Sequence, residues 1–210
     1  MCSSRYNTHS HQNRRGVRRF NLSKVLGNST TPVDRDVEPK HWPHPSDIAP
    51  VFEGQEYEDI YIRMFTDGSK SELGVGAGVA IFRRTELVTQ LQYMLDSRCS
   101  NNQAEKLAIF KALEALNSLN TDDNNQRTAA VITDSRVALG SIQNTHNHSF
   151  LIEEIRRTLW KLERTRWNVV FSWVKSHVGI MGNELADQLA KASARDIDKK
   201  SHTTEHPRAQ

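Results

Sequence analysis

Apolar and polar residues alternate at the start of the ordered-looking part of the chain. Ile60, Ile62 and Met64 fall on one side and Tyr61, Arg63 and Phe65 on the other, the period of a β-strand over Ile60–Asp67. Gly74–Arg83 reads as a Gly-rich strand, and Glu86–Leu95 places Leu87, Leu91, Tyr93 and Leu95 on alternate positions. Three consecutive strands with short connections predict an antiparallel meander. The period then changes: Ala104, Leu107, Ala108, Leu113 and Leu116 recur at helical spacing and predict a helix over Asn102–Leu119. A short strand Thr128–Thr133 follows, then helices near Ser135–Ile142 and Ser149–Arg164, a strand Asn168–Val174 and a helix Gly182–Ala194. The order is β-β-β-α-β-α-α-β-α. Helices after the later strands imply crossovers, and so a parallel part to the sheet. The predicted class is α/β, of the mixed α+β kind.

Outside this region the pattern is lost. The first 50 residues mix Ser, Asn, Thr, His and Arg without periodicity, then run through Pro32, Pro39, Pro43, Pro45 and Pro50. Each proline biases its predecessor toward extended geometry, so the His41–Pro45 stretch cannot be helical. Residues 1–55 are expected to be a disordered basic tail and Pro-rich linker, residues 56–195 the folded domain, and residues 196–210 a second disordered tail. An apolar content of 37% over 210 residues, low for a globular chain, agrees with that division.

Charge sharpens the picture. The formal +3 resolves into eight bases and four acids in residues 1–50, four and three in residues 195–210, and sixteen and eighteen between them. The body is therefore acidic and the ends are basic. The longest Gly-plus-apolar stretch, Leu73–Phe82, is ten residues, short of the ~20 that span a bilayer, so no membrane partner is expected. Two cysteines, Cys2 and Cys99, make no disulfide framework, and the first 30 residues lack a signal-peptide core. An intracellular location, nucleus or cytoplasm, is expected. Acid-free, arginine-bearing residues 1–33 leave mitochondrial targeting as a minor alternative.

Four acids stand out by position. Asp67 ends the first strand in Thr66-Asp67-Gly68-Ser69, and Glu105 lies one turn inside the first helix after Asn101-Asn102-Gln103-Ala104. Asp134 ends the fourth strand in Ile132-Thr133-Asp134-Ser135, and Asp187 lies in Gly182-Asn183-Glu184-Leu185-Ala186-Asp187. Neighbouring strands ending at one sheet edge would bring Asp67 and Asp134 together, and helices starting there could add Glu105 and Asp187. Each also has a bland reading. Asp67-Gly68 is a turn dipeptide, Asn102 to Glu105 fits a capping box, Asp134-Ser135 fits a helix cap, and Asp187 fits an exposed helix acid.

These motifs, together with Ser176-His177-Val178-Gly179, resemble the type 1 ribonuclease H family over about Ile60 to Ala194. The wording Trp173-Val174-Lys175-Ser176-His177-Val178-Gly179 most resembles the ribonuclease H domains of non-LTR retrotransposon polyproteins, where a Pro-rich segment likewise precedes the first strand. The resemblance implies a five-stranded mixed sheet, three antiparallel strands then two parallel, flanked by helices. It implies four metal ligands at Asp67, Glu105, Asp134 and Asp187, and a mobile-loop histidine at His177. It also implies contacts to the RNA strand of an RNA/DNA hybrid from Ser100, Asn101 and Asn102. Gly68, Ser69, Ser135 and Asn183 are further substrate-binding candidates.

Clustered carboxylates repel one another, and hard oxygen-seeking cations relieve that repulsion. Two Mg²⁺ ions, or Mn²⁺ in their place, could activate water on one side of a phosphodiester and stabilise the leaving oxygen on the other, giving 3′-hydroxyl and 5′-phosphate ends. They would also turn the acidic body positive as substrate arrives. His177 suits proton transfer to the leaving group, and amide side chains suit a 2′-hydroxyl that both donates and accepts.

Other residues read more plainly. His146 and His148 are expected to decorate a loop, and Cys99 to be a half-buried strand end. Arg156, Arg157, Lys161, Arg164 and Arg166, between Trp160 and Trp167, are expected to form a solvated helix face. About Gln143–His148 separates the two helices after the fourth strand, too little for the basic protrusion many family members insert there. Grip on the hybrid is then expected from the N-terminal tail or from a reverse transcriptase domain of the same polyprotein. The chain is expected to be a monomer. The competing functions are a nucleic-acid-binding relic without turnover and a strand-transfer enzyme on a related fold.

Overall fold

A computed structural model of the chain describes residues 18–19, 57, 60–119 and 127–195. Apart from Arg18 and Arg19, the expected tails lie outside the described residues. The elements are β1 (Arg18–Arg19), β2 (Ile62–Ser71), β3 (Gly74–Arg83), β4 (Glu86–Leu95), α1 (Asn101–Asn117), β5 (Thr128–Thr133), α2 (Arg136–Gln143), α3 (Phe150–Arg164), β6 (Asn168–Trp173) and α4 (Met181–Ala194). Strand order is β1-β4-β3-β2-β5-β6. The meander β2-β3-β4 is antiparallel, and β5 and β6 add in parallel to β2. The five expected strands are present with the expected senses. The two-residue β1 adds a sixth at the edge, with Arg18 opposite Tyr93 and Arg19 opposite Met94.

The strand alternation sorts the core into two layers. Ile62 and Met64 join Leu107, Leu113, Ile155 and Phe171 in the larger cluster, where α1 covers the sheet and α3 packs on α1. Phe65, Phe82 and Ile132 face the other way, toward Ala186 and Leu189 of α4. Phe65 and Phe82 meet edge to face with ring centroids 5.7 Å apart, a favourable quadrupole arrangement. The glycine run of β3 makes room for α4. A Cβ at Gly76 or Gly78 would lie 2.2 Å from the carbonyl oxygen of Ala190 or Ala186, so α4 rests directly on the strand backbone. Among the described residues no helix is long and apolar enough to cross a membrane.

The first strand departs from its predicted bounds. Ile60 precedes β2 and packs with the Phe65 cluster, away from Ile62 and Met64. At the other end β2 runs through Asp67-Gly68 to Ser71, because Gly68 and Ser69 pair with Ala77 and Gly76 of β3. The turn dipeptide is therefore strand, and the turn itself falls at Glu72-Leu73.

The short α2–α3 connection also differs from expectation. Arg156 is not a solvated face residue: it is 2% exposed. Its guanidinium donates to the carbonyls of Ile142, Asn144 and Asn147 at 2.7–3.1 Å and to Glu153 Oε1 at 2.7 Å. The same carboxylate oxygen meets His148 Nδ1 at 3.0 Å, so His148 is a buried partner and no loop decoration. Trp167 is buried as well. The arginine turns inward, where it satisfies carbonyls at the end of α2 and in the loop that follows it.

Candidate active site

The parallel ladder between β2 and β5 ends at the pair Thr66–Thr133. Asp67 and Asp134 are the next residue on each strand, so both carboxylates leave the sheet at one level. Asp67 lies inside β2 because β3 continues to pair with it after β5 has stopped.

Glu105 reaches this point from α1. The capping box at that helix is formed by Ser100 and Gln103, where the bland reading had Asn102 and Glu105. Gln103 N donates to Ser100 Oγ at 3.2 Å, and Ser100 N donates to Gln103 Oε1 at 2.7 Å. Glu105 is thereby left out of the cap and turned into the site. Gly68 makes the approach possible: a Cβ there would lie 2.5 Å from the Glu105 amide nitrogen.

Oxygens of Asp67, Glu105 and Asp134 lie within 4.8 Å of one another. Ligand atoms of His177, Glu184 and Asp187 form a second group within 4.8 Å. Asp187 is near enough to Asp67 to raise its pKa, which sets the two groups side by side. The four expected carboxylates thus come together, with Asp187 on the flank, where Lys191 Nζ also meets it at 2.8 Å. Asp134 is no cap; Ser135 accepts from Ala138 N and caps α2.

The electrostatics are those of crowded acids. Burial, then the Asp134 and Asp187 charges and the Asp187 hydrogen bond, push Asp67 up to about 7, against the opposing Gly68 amide. Burial and the charges of Asp67 and Asp134 raise Glu105 well above the ordinary range. Glu105 Oε2 is buried without a hydrogen-bond partner. An all-oxygen donor set with an orphaned, buried carboxylate oxygen fits a hard divalent cation.

The substrate-binding candidates divide. Ser100, Asn101 and Asn102 are exposed at the start of α1. Ser100 is also the cap, and Asn101 Nδ2 donates to Glu105 Oε1 at 3.4 Å. Gly68 is covered by α1, Ser69 is half-buried and Ser135 is held in its cap. Asn183 is buried and donates from Nδ2 to Asp134 Oδ2 at 3.4 Å, an orienting contact. His177 is exposed, with a positive φ of 55° in the loop before α4. Cys99 is fully buried, and burial pushes its thiol up, away from nucleophilic use.

A family model described as RNase H matches residues 59–195. The chain belongs to the ribonuclease H family. A ribonuclease H of Francisella philomiragia is 28% identical over 148 residues, covering 65% of this chain and 92% of that protein. Among solved structures, RNase H1 from the halophilic archaeon Halobacterium salinarum aligns with a TM-score of 0.48 at 21% identity, covering 64% of this chain and 98% of that one. Every residue of the two ligand groups lies inside the ribonuclease H match. Sequence reasoning did not single out three residues found at or beside these groups. Glu184 was readable as a helix neighbour of Asp187 three positions earlier. Trp173, which donates to the Asp134 carbonyl, and Arg136, which lies over the Trp173 ring, carry no sequence signal that would pair them.

Proposed function

We propose that this chain is an endonuclease that hydrolyses the RNA strand of RNA/DNA hybrids with divalent cations held by Asp67, Glu105, Asp134 and Asp187. The observation that carries the reading is the carboxylate cluster, with its unpartnered Glu105 oxygen, inside a ribonuclease H family match. Bound there, two Mg²⁺ or Mn²⁺ ions would supply Lewis acidity to a phosphodiester and lower the pKa of an attacking water.

The chain's own residues do the rest. Asp67 stands between the two ligand groups and serves both. Asn183 orients the Asp134 carboxylate from one side, and Asn101 the Glu105 carboxylate from the other. The exposed amide of Asn102 faces outward at the start of α1, where it meets the 2′-hydroxyl that separates RNA from DNA. Water attacks phosphorus, the P–O3′ bond breaks, and the His177 imidazole delivers a proton to the leaving 3′-oxygen. The products carry a 3′-hydroxyl and a 5′-phosphate. A retrotransposon origin rests on the Trp173–Gly179 wording and the Pro-rich segment before the domain; a polymerase reading frame upstream in the source DNA tests it.

The experiment is cleavage of an end-labelled hybrid with Mg²⁺ or Mn²⁺. Cleavage of the RNA strand alone, abolished by Asp134→Asn, is expected. Folded protein that leaves the hybrid intact with either metal overturns the proposal and supports a binding relic, and cutting of duplex DNA instead supports a strand-transfer enzyme.

A further inference from the structure

Two side chains outside the carboxylate cluster form a chain of contacts that ends on the Asp134 backbone. Trp173, the last residue of β6, donates its indole N–H to the Asp134 carbonyl oxygen at 3.0 Å. The face of the same ring carries the Arg136 guanidinium, 3.9 Å from the ring centroid. An indole can serve both at once, since its N–H lies in the ring plane and its negative quadrupole lies above it. The tie spans neighbouring parallel strands: Thr133 stands opposite Trp173 in the ladder, so the N–H reaches the first backbone group beyond its end.

Arg136 has no local reason to be a cation. It is the first residue of α2, where the helix dipole disfavours positive charge. Among the described residues no carboxylate forms an ion pair with it, although its side chain is exposed. The ring contact restrains its fork two residues along the chain from Asp134, while no carboxylate among the described residues occupies its N–H donors. A planar, weakly hydrated fork held in advance loses little freedom when it meets an oxyanion.

We propose that Arg136 is a substrate-binding residue that grips a backbone phosphate of the nucleic acid near the scissile bond, and that Trp173 positions both Arg136 and Asp134. The inference rests on the ribonuclease H reading and names one of the grips that compensate for the short α2–α3 connection. It links recognition to chemistry through one ring: the side chain that presents the phosphate contact also fixes the backbone of a ligand.

The test uses the full chain and a fluorescent RNA/DNA hybrid, with binding measured in EDTA across a salt series and turnover in Mg²⁺. Arg136→Ala is expected to weaken binding several-fold and to reduce the slope of log K against log salt by about 0.9, the loss of one phosphate contact. Arg136→Lys keeps the charge and is expected to retain that slope with intermediate affinity. Trp173→Phe keeps the aromatic face but loses the N–H. It is expected to lower kcat about tenfold or more through displacement of Asp134, with KM much less affected. Wild-type affinity and slope in Arg136→Ala overturn the phosphate grip, and an unchanged kcat in folded Trp173→Phe overturns the positioning role. Because Arg136 is exposed, its variants decide the grip even where Trp173→Phe fails to fold. A wild-type chain that neither binds nor cuts the hybrid overturns the ribonuclease reading itself, whereas wild-type cleavage with an indifferent Arg136→Ala overturns only the grip.

Discussion

Gly68 and Glu105 touch through their backbones: a Cβ added to Gly68 would stand 2.5 Å from the Glu105 nitrogen and 2.9 Å from the Ala104 carbonyl carbon. Both obstacles are main chain, so no side-chain rotation can relieve them. Gly68→Ala must push the start of α1 away from β2 and carry the Glu105 carboxylate with it. The expected cost is about 1–3 kcal/mol of stability, as for other overpacked sites. A displacement of the order of 1 Å at a catalytic group lowers turnover by about 10²-fold. Denaturant unfolding and hybrid-cleavage kinetics check the two effects. An alanine variant with wild-type turnover would show that the contact does not set the Glu105 position.

The crowded carboxylates also make stability depend on pH. An unfolded aspartate titrates at about 3.9, whereas folded Asp67 is held at about 7. Between those values the folded protein keeps a proton that the unfolded chain has lost. The free energy of unfolding therefore falls as pH rises from about 4 to 7, and the raised Glu105 acts in the same direction. Urea midpoints in EDTA are expected to be higher at pH 5.5 than at pH 7.5, with Asp67→Asn flattening the difference. Mg²⁺ is expected to stabilise the protein at pH 7.5 and to do so less at pH 5.5, where protons compete for the same oxygens. A metal-free protein with equal midpoints at both pH values, or Mg²⁺ stabilisation that ignores pH, contradicts this account.

Element types and the carboxylate cluster were legible in the sequence because both depend on local pattern. Alternation from Ile62 to Phe65 marks a strand whatever it packs against, and each of the four acids sits in a short motif of its own. What failed depended on partners distant in the chain. Asp67-Gly68 has the composition of a turn, and only pairing with Gly78 and Ala77 of the distant β3 carries the strand through it. Two capping boxes overlap at the start of α1, and the choice of Ser100 over Asn102 releases Glu105. Trp173 and Asp134 meet because β6 lies beside β5, which no local pattern encodes. Burial of Arg156 was illegible for the same reason, since its partners are carbonyls at the end of another helix.

That arginine yields the last prediction. Arg156 and Glu153 are both almost fully buried, with His148 on the same carboxylate oxygen. The guanidinium also ties down carbonyls of Ile142 in the last turn of α2 and of Asn144 and Asn147 in the α2–α3 connection. Arg156→Met removes the charge while filling much of the volume, leaving the Glu153 carboxylate and those carbonyls short of donors. Breaking a buried pair on one side costs about 3–5 kcal/mol. Arg156→Met paired with Glu153→Leu removes the stranded carboxylate and is expected to recover part of that loss. Denaturant unfolding of the two variants separates the effects. A single variant as stable as the parent would mean that water already satisfies the carboxylate and the carbonyls. A double variant no better than the single would place the whole loss in the carbonyls, making Arg156 a backbone clamp for the short connection and the ion pair incidental.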